Sequence, residues 1–219
     1  MYFWTIQHKY VIDMLLKNKV YYPDFKYSMN SAAGLDMRAI YPRLLNCFNA
    51  VNSSVLNGVL FGFELSNLSE VTDLYHYLTS NPNISTCFNF WSKEYCILKL
   101  KINDTVNLLP IDFYDFVKLT IWITQNTSSI SLLELNQCEI ERISSNLSQG
   151  IVAPRFKSFT QIHYSHININ DIVGVYPIIN YKTNTIMELS DSAIKLKNIL
   201  NLFKLLPFSS QKSINFSCV

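Results

Sequence analysis

Glycine is scarce in this chain, with five in 219 residues. Loops that cradle phosphate through backbone N–H groups need glycine at fixed spacing, and neither G-x-x-x-x-G-K-[ST] nor G-x-G-x-x-G occurs. H-E-x-x-H and G-x-S-x-G are missing too, which removes zincin and serine-elbow chemistry. An excess of one charge sign is also lacking: 18 Lys and Arg stand against 16 Asp and Glu, a net +2, so the composition carries no footprint of a phosphate-tracking protein. The five cysteines, Cys47, Cys87, Cys96, Cys138 and Cys218, are odd in number and never spaced C-x-x-C. They read as reduced thiols, not as a disulfide framework or a zinc site, with Cys87 and Cys96 near enough in sequence to meet. No apolar run approaches the ~18 residues of a spanning helix, so no membrane partner is expected. The opening Met1-Tyr2-Phe3-Trp4 has no basic n-region and no small-residue cleavage site, and the expected location is the cytoplasm.

What the chain does have is apolar and aromatic content, 49% and 14%, enough to bury a core. No linker, charge block or repeat divides it, and it reads as one domain over 1–219 with a helical extension from 181 onward. Tyr2 to Gln7 predicts a strand, and Val11, Ile12, Leu15 and Leu16 fall at helical spacing over His8 to Lys19. Val20-Tyr21-Tyr22 is extended and Pro23-Asp24 turns it. A helix is expected over Asp36 to Asn49, and then a strand over Val59 to Leu65, in which Gly62 marks a bulge or the close approach of a ligand. Leu68 to Leu78 predicts a helix, Glu94 to Ile102 a strand and Val106 to Leu109 a further short strand. Asp112 stands where it can cap a helix over Phe113 to Gln125. Leu132 to Leu147 predicts another helix, stopped at Gln149-Gly150. Strands over Phe159 to Tyr164 and Ile172 to Ile179 and a closing helix over Asp191 to Leu206 complete an α+β pattern.

Few side chains suggest chemistry. His163 and His166 make an H-x-x-H pair, but on a strand a spacing of three sends the rings to opposite faces, so no metal is expected there. Asp112 and Asp115 read as cap residues before they read as an acid–base pair. Glu134, Glu139, Glu141 and Arg142 read as a solvated helix face. Tyr21, Tyr22, Phe25 and Tyr27 stand beside a turn, where rings can stack on a nicotinamide or a base or else pack a core. Arg38 and Arg43 can hold a pyrophosphate through a guanidinium fork or serve as surface and capping residues.

The order of these pieces carries a resemblance. Trp4-Thr5-Ile6-Gln7 followed by Val20-Tyr21-Tyr22-Pro23-Asp24, then Tyr95 to Ile102 with Leu108-Leu109-Pro110-Ile111-Asp112-Phe113, then Phe159-Thr160-Gln161-Ile162 with Asp171-Ile172-Val173-Gly174-Val175, resembles an uncharacterised bacterial family whose members begin L-W-T-I-Q. More distantly, the order is similar to ADP-ribosyltransferases of the DarT toxin type. There an opening strand carries a histidine-x-threonine pair for NAD, a middle strand follows a helix, and a late strand carries a catalytic glutamate. The resemblance implies an ADP-ribosyltransferase-like split β-sheet core with flanking helices and NAD, as substrate, in the cleft between two small sheets.

On this chain the opening pair falls on Thr5 and Gln7, the middle strand on Val59 to Phe63, and the late acidic position on or near Gln161. The implied roles are Thr5 and Gln7 on the nicotinamide ribose, Tyr21 or Tyr22 stacking on the nicotinamide and Gln161 near the reacting sugar, with Arg38, by its guanidinium chemistry, the candidate for the pyrophosphate. A glutamine can hydrogen-bond a ribose hydroxyl but carries no charge to stabilise an oxocarbenium-like centre. Two functions follow. One is an NAD-dependent ADP-ribosyltransferase, a toxin or anti-phage defence effector acting on DNA, RNA or protein and held by an antitoxin or chaperone. The other is a non-catalytic member of the same fold that binds a nucleotide or a partner.

Overall fold

The computed structural model describes residues 2–27, 31–32, 35–36, 40–64, 70–80, 93–102, 107–127, 137–152, 160–180, 183 and 185–205. Arg38, Cys87, Glu134 and the tail beyond 205 lie outside the described residues.

The first strand, β1 (Tyr2–His8), is built from aromatic and β-branched residues that suit a pleated surface. It runs straight into α1 (Lys9–Asn18), because His8 stays extended and its Nδ1 accepts the Tyr10 N–H at 3.2 Å, capping the first turn. Lys19 adopts a left-handed φ of 67° and returns its N–H to the Leu15 carbonyl, ending the helix. The short strand β2 (Val20–Tyr21) follows, and then a small ribbon of β3 (Ser31–Ala32) and β4 (Leu35–Asp36).

The helix expected from Asp36 begins later, as α2 (Tyr41–Asn52), with Asp36 in β4. Pro42 explains the shift: it lacks an N–H and has φ already set for a first helical turn, so it belongs at the start of a helix. Next come β5 (Leu60–Glu64), α3 (Val71–Ser80) and β6 (Tyr95–Lys101). The short strand expected over Val106 to Leu109 is displaced to β7 (Leu108–Asp112). Pro110 is tolerated there because β7 is an edge strand, where its missing N–H costs no second ladder.

Asp112 Oδ1 accepts the N–H groups of Tyr114 and Asp115 at 3.0 and 3.2 Å and so caps α4 (Phe113–Thr127). The helix α5 (Gln137–Gln149) ends on Gly150 at φ 67°, with return bonds to Leu147 and Asn146. The strand β8 (Thr160–Tyr164) leads to β9 (Ile167–Asn168), which pairs with β2. The last long strand splits at Ile178 into β10 (Ile172–Pro177) and β11 (Ile179–Asn180); β11 pairs with β12 (Thr185–Ile186), and α6 (Asp191–Leu205) closes the described chain.

Six strands form one sheet in the order β10-β6-β1-β5-β8-β7, and every described pairing in it is antiparallel. The fold is mixed α and β. Side chains alternate between two faces. On one, α1 and α6 cover Phe3, Leu98, Leu100, Ile162 and Tyr164, and Ala193 and Leu196 of α6 are buried in that core. On the other, α2, α4 and α5 pack Leu44, Phe48, Leu119, Ile140 and Ile143 against Leu109 and Ile111, while α3 brings Leu74 and Tyr75 to Trp4 and Ile97. The register makes each face explicit, since Trp4 opposes Phe63 and Phe63 opposes Gln161.

Candidate functional site

The sheet is not laddered evenly. β1 pairs with β6 at every residue from Tyr2 to His8, and β5 pairs with β8 along its whole length, but β1 meets β5 at the Trp4–Phe63 register position alone. The six strands are thus two three-stranded halves joined by one narrow seam. Beyond that seam the Thr5 side chain takes over the work of the backbone: its hydroxyl donates to the Phe61 carbonyl and accepts from Gln7 Nε2 at 2.8 Å. Thr5 and Gln7 are two apart on a strand and therefore share the α1 face, where they are 1% and 8% exposed.

Sequence reasoning missed the third member of this group. Tyr164 lies on β8 opposite Leu60, fully buried, with its ring parallel to Phe3 at 6.4 Å. The ring passes over Gly62, where a Cβ would stand 3.2 Å from Tyr164 Cε1 and 3.3 Å from the Trp4 carbonyl oxygen. Burial pushes the Tyr164 phenol far above its ordinary value, an effect that hydrogen bonding from the neighbouring Thr5 and Gln7 partly offsets. Among the buried side-chain nitrogen and oxygen atoms of the described residues, Tyr164 Oη and Trp4 Nε1 make no hydrogen bond of ordinary geometry. The lone glycine of β5 was the signal available in the sequence, read there as a place of close approach.

Gln161 stands elsewhere. It lies on the α4 face, 3% exposed, with Nε2 at 3.1 Å from Nε2 of His163. His163 Nδ1 is 3.0 Å from the Leu109 carbonyl, which can only accept, so Nδ1 carries the proton and Nε2 receives the Gln161 amide. Phe61 and Phe116 enclose the ring at 5.0 and 5.8 Å. Burial drives the His163 pKa down to about 4, against a smaller upward pull from the Leu109 carbonyl. The structure therefore does not bring Gln161 together with Thr5 and Gln7, from which the thickness of the sheet separates it.

The other candidates spread out. Tyr21 pairs with Ile167, packs against the core under α1 and meets the Tyr10 ring edge-on at 6.4 Å, and burial raises its phenol. Tyr22 is exposed beside His166 at 5.1 Å, well apart in environment from the buried His163, so the H-x-x-H pair does not converge. Arg43 lies over the Trp122 ring at 5.4 Å and donates to Ser144 Oγ at 3.3 Å. Asp115, capped by Asp112, reaches Arg142 at 3.4 Å, and Glu139 pairs with Lys118. Burial drives the Cys96 thiol up to about 12, a value at which it is no nucleophile. Among the described residues no group of three or more His, Cys, Asp or Glu gathers as a metal site, and no helix is long and apolar enough to cross a membrane.

Comparison with protein-family models, with curated proteins and with solved structures finds no match to this chain.

Proposed function

We propose that the chain has an ADP-ribosyltransferase-like core and takes NAD as substrate, transferring ADP-ribose to DNA, RNA or protein as a toxin or defence effector. The observation that carries this reading is the seam between β1 and β5. The polar Thr5-x-Gln7 pair of the opening strand stands where two three-stranded halves meet at a single register position. The resemblance implies that this pair holds the nicotinamide ribose, between two small sheets. In the transfer, the bond between ribose C1′ and the nicotinamide nitrogen breaks and nicotinamide leaves with the electron pair. The acceptor's nucleophilic atom bonds to C1′ and loses its proton to solvent. Thr5 and Gln7 orient ribose hydroxyls, so catalysis here consists mainly of positioning and exclusion of water.

One observation favours a second reading, a non-catalytic module that binds a nucleotide or a partner. The late position carries neutral Gln161, whose amide is committed to His163 on the opposite face of the sheet. The experiment that separates the two is incubation of purified protein with biotinylated NAD and separate pools of DNA, RNA and cell protein. Label in one pool is the expected result and names the acceptor. No label, with a rise in melting temperature on adding NAD, selects the nucleotide-binding module; neither label nor rise overturns the NAD reading in both forms.

A further inference from the structure

The net charge of +2 conceals a local asymmetry. The adjacent strands β1, β6 and β10 carry no Asp or Glu, and the two lysines among them, Lys99 and Lys101, share one face of the sheet, since Lys99 opposes Trp4 and Lys101 opposes Tyr2. Thr5 and Gln7 point to the other face. Aromatic rings surround the lysines. Lys99 Nζ lies 5.4 Å from the centre of the Tyr2 ring and 4.9 Å from that of Trp4, and Trp4 meets the Tyr176 ring at 5.8 Å. Tyr176 folds back over Gly174, the register partner of Lys99, where a Cβ would stand 2.5 Å from the ring. Trp4 and Ile97 on this face are packed against Leu74 and Tyr75 of α3, and the Glu70 carboxylate is near Tyr176. At the start of β1 the face is open to solvent: Tyr2 is 49% exposed and its partner Lys101 is exposed.

We propose that this face is a docking surface for single-stranded nucleic acid: the exposed Tyr2 ring stacks on an unpaired base, Lys101 beside it pairs with a backbone phosphate, and Lys99 adds positive charge between the rings. A single strand presents a planar ring and an anion at every step, the two groups that an exposed ring next to an exposed ammonium can take together. An acidic peptide supplies the anion without the ring, and a duplex keeps its base faces stacked inside. The surface lies across the sheet from Thr5 and Gln7, so the inference does not rest on the NAD reading. It assigns binding to this face and no chemical step.

The test is fluorescence anisotropy of end-labelled oligothymidylate and oligouridylate titrated with the full chain over a series of salt concentrations, with NAD left out. The expected result is binding to at least one of them, and the arm that binds tells DNA from RNA. Tyr2→Leu keeps the apolar volume and loses the aromatic face, and should weaken binding about tenfold. Lys101→Gln should weaken it too and lower the slope of log affinity against log salt by about 0.7. Both positions are exposed, so the variants keep the wild-type melting temperature and their losses report contact with the oligonucleotide. A wild type that binds neither oligonucleotide at low salt overturns the proposal, as does unchanged affinity in Tyr2→Leu or an unchanged salt slope in Lys101→Gln. Binding of polyglutamate as tight as that of either oligonucleotide would show that the face reads charge alone, and would overturn it as well.

Discussion

Two buried polar groups lie back to back on the same sheet, Gln161 with His163 under α4 and Thr5 with Gln7 and Tyr164 under α1. Burial does not distinguish them, because all five side chains are less than a tenth exposed. Closure does. Under α4 the amide donates to the imidazole and the imidazole donates to the Leu109 carbonyl, so both ring nitrogens are used. Under α1 the bonds run from Gln7 to Thr5 to the Phe61 carbonyl, with the Tyr164 phenol close beside them and no bond of ordinary geometry to it. A closed network like the one under α4 rigidifies a core and specifies one packing, whereas the Thr5–Gln7 group stands at the narrow join of the two halves of the sheet. The chemistry expected of Gln161 is thus harder to place than that expected of Thr5 and Gln7, since its amide already has a structural task.

The contrast breaks most visibly at His163. Replacing it by alanine opens a cavity among Phe61, Phe116 and Leu109 and takes from the Gln161 amide the ring nitrogen it donates to, at a cost of about 3–4 kcal/mol in urea unfolding. Affinity of the folded fraction for NAD should hardly change. The same ring sets a pH dependence. Its folded pKa is lowered to about 4 while the unfolded chain titrates near the ordinary 6.5, so the native state binds fewer protons between those values. The stabilisation is complete above 6.5 and is lost as pH falls toward 4, roughly 3 kcal/mol in all. Unfolding curves from pH 7 to 4 should show this slope in wild type and lack it in His163→Phe.

Gln161→Leu sharpens the comparison. It removes the donor to His163 Nε2 and should cost about 1–2 kcal/mol of stability. If the α4 group is structural, NAD affinity and any label transfer per folded molecule stay at the wild-type level. A loss of transfer far beyond the loss of stability would return Gln161 to the chemistry and would mean that the ligand reaches both faces of the sheet.

The elements were largely readable because periodicity reports burial. Val11, Ile12 and Leu15 of α1 and Ile140, Ile143 and Leu147 of α5 sit at helical spacing and are buried as that spacing implies. The start of α2 depended on a proline at a first turn, and β7 on an edge position, which only the sheet order reveals. At the seam, Thr5 and Gln7 could be singled out because polar side chains two apart interrupt an apolar strand. Tyr164 could not, since a tyrosine among β-branched and aromatic neighbours looks like any core ring until the register sets it over Gly62. The face occupied by Gln161 was equally hidden, because a residue's face depends on which strands pair and in what register, and those contacts lie far apart in sequence.

The smallest effect on stability should come from Gln7→Leu, and it is the one that separates the two faces. Gln7 is at the rim of its group, 8% exposed, and donates a single bond whose acceptor, Thr5 Oγ1, keeps its own bond to Phe61. Losing it should cost under about 1 kcal/mol, since leucine fills nearly the same volume against the apolar residues under α1. Affinity for NAD should nevertheless fall about tenfold, because the replacement removes the amide that the proposed function places on the ribose. Calorimetric titration of Gln7→Leu and Gln161→Leu side by side then gives opposite patterns if the comparison is right: the first keeps stability and loses ligand, the second loses stability and keeps ligand. Matching losses in both variants would mean that the two groups are coupled through β5 and β8 and that closure does not mark function in this sheet.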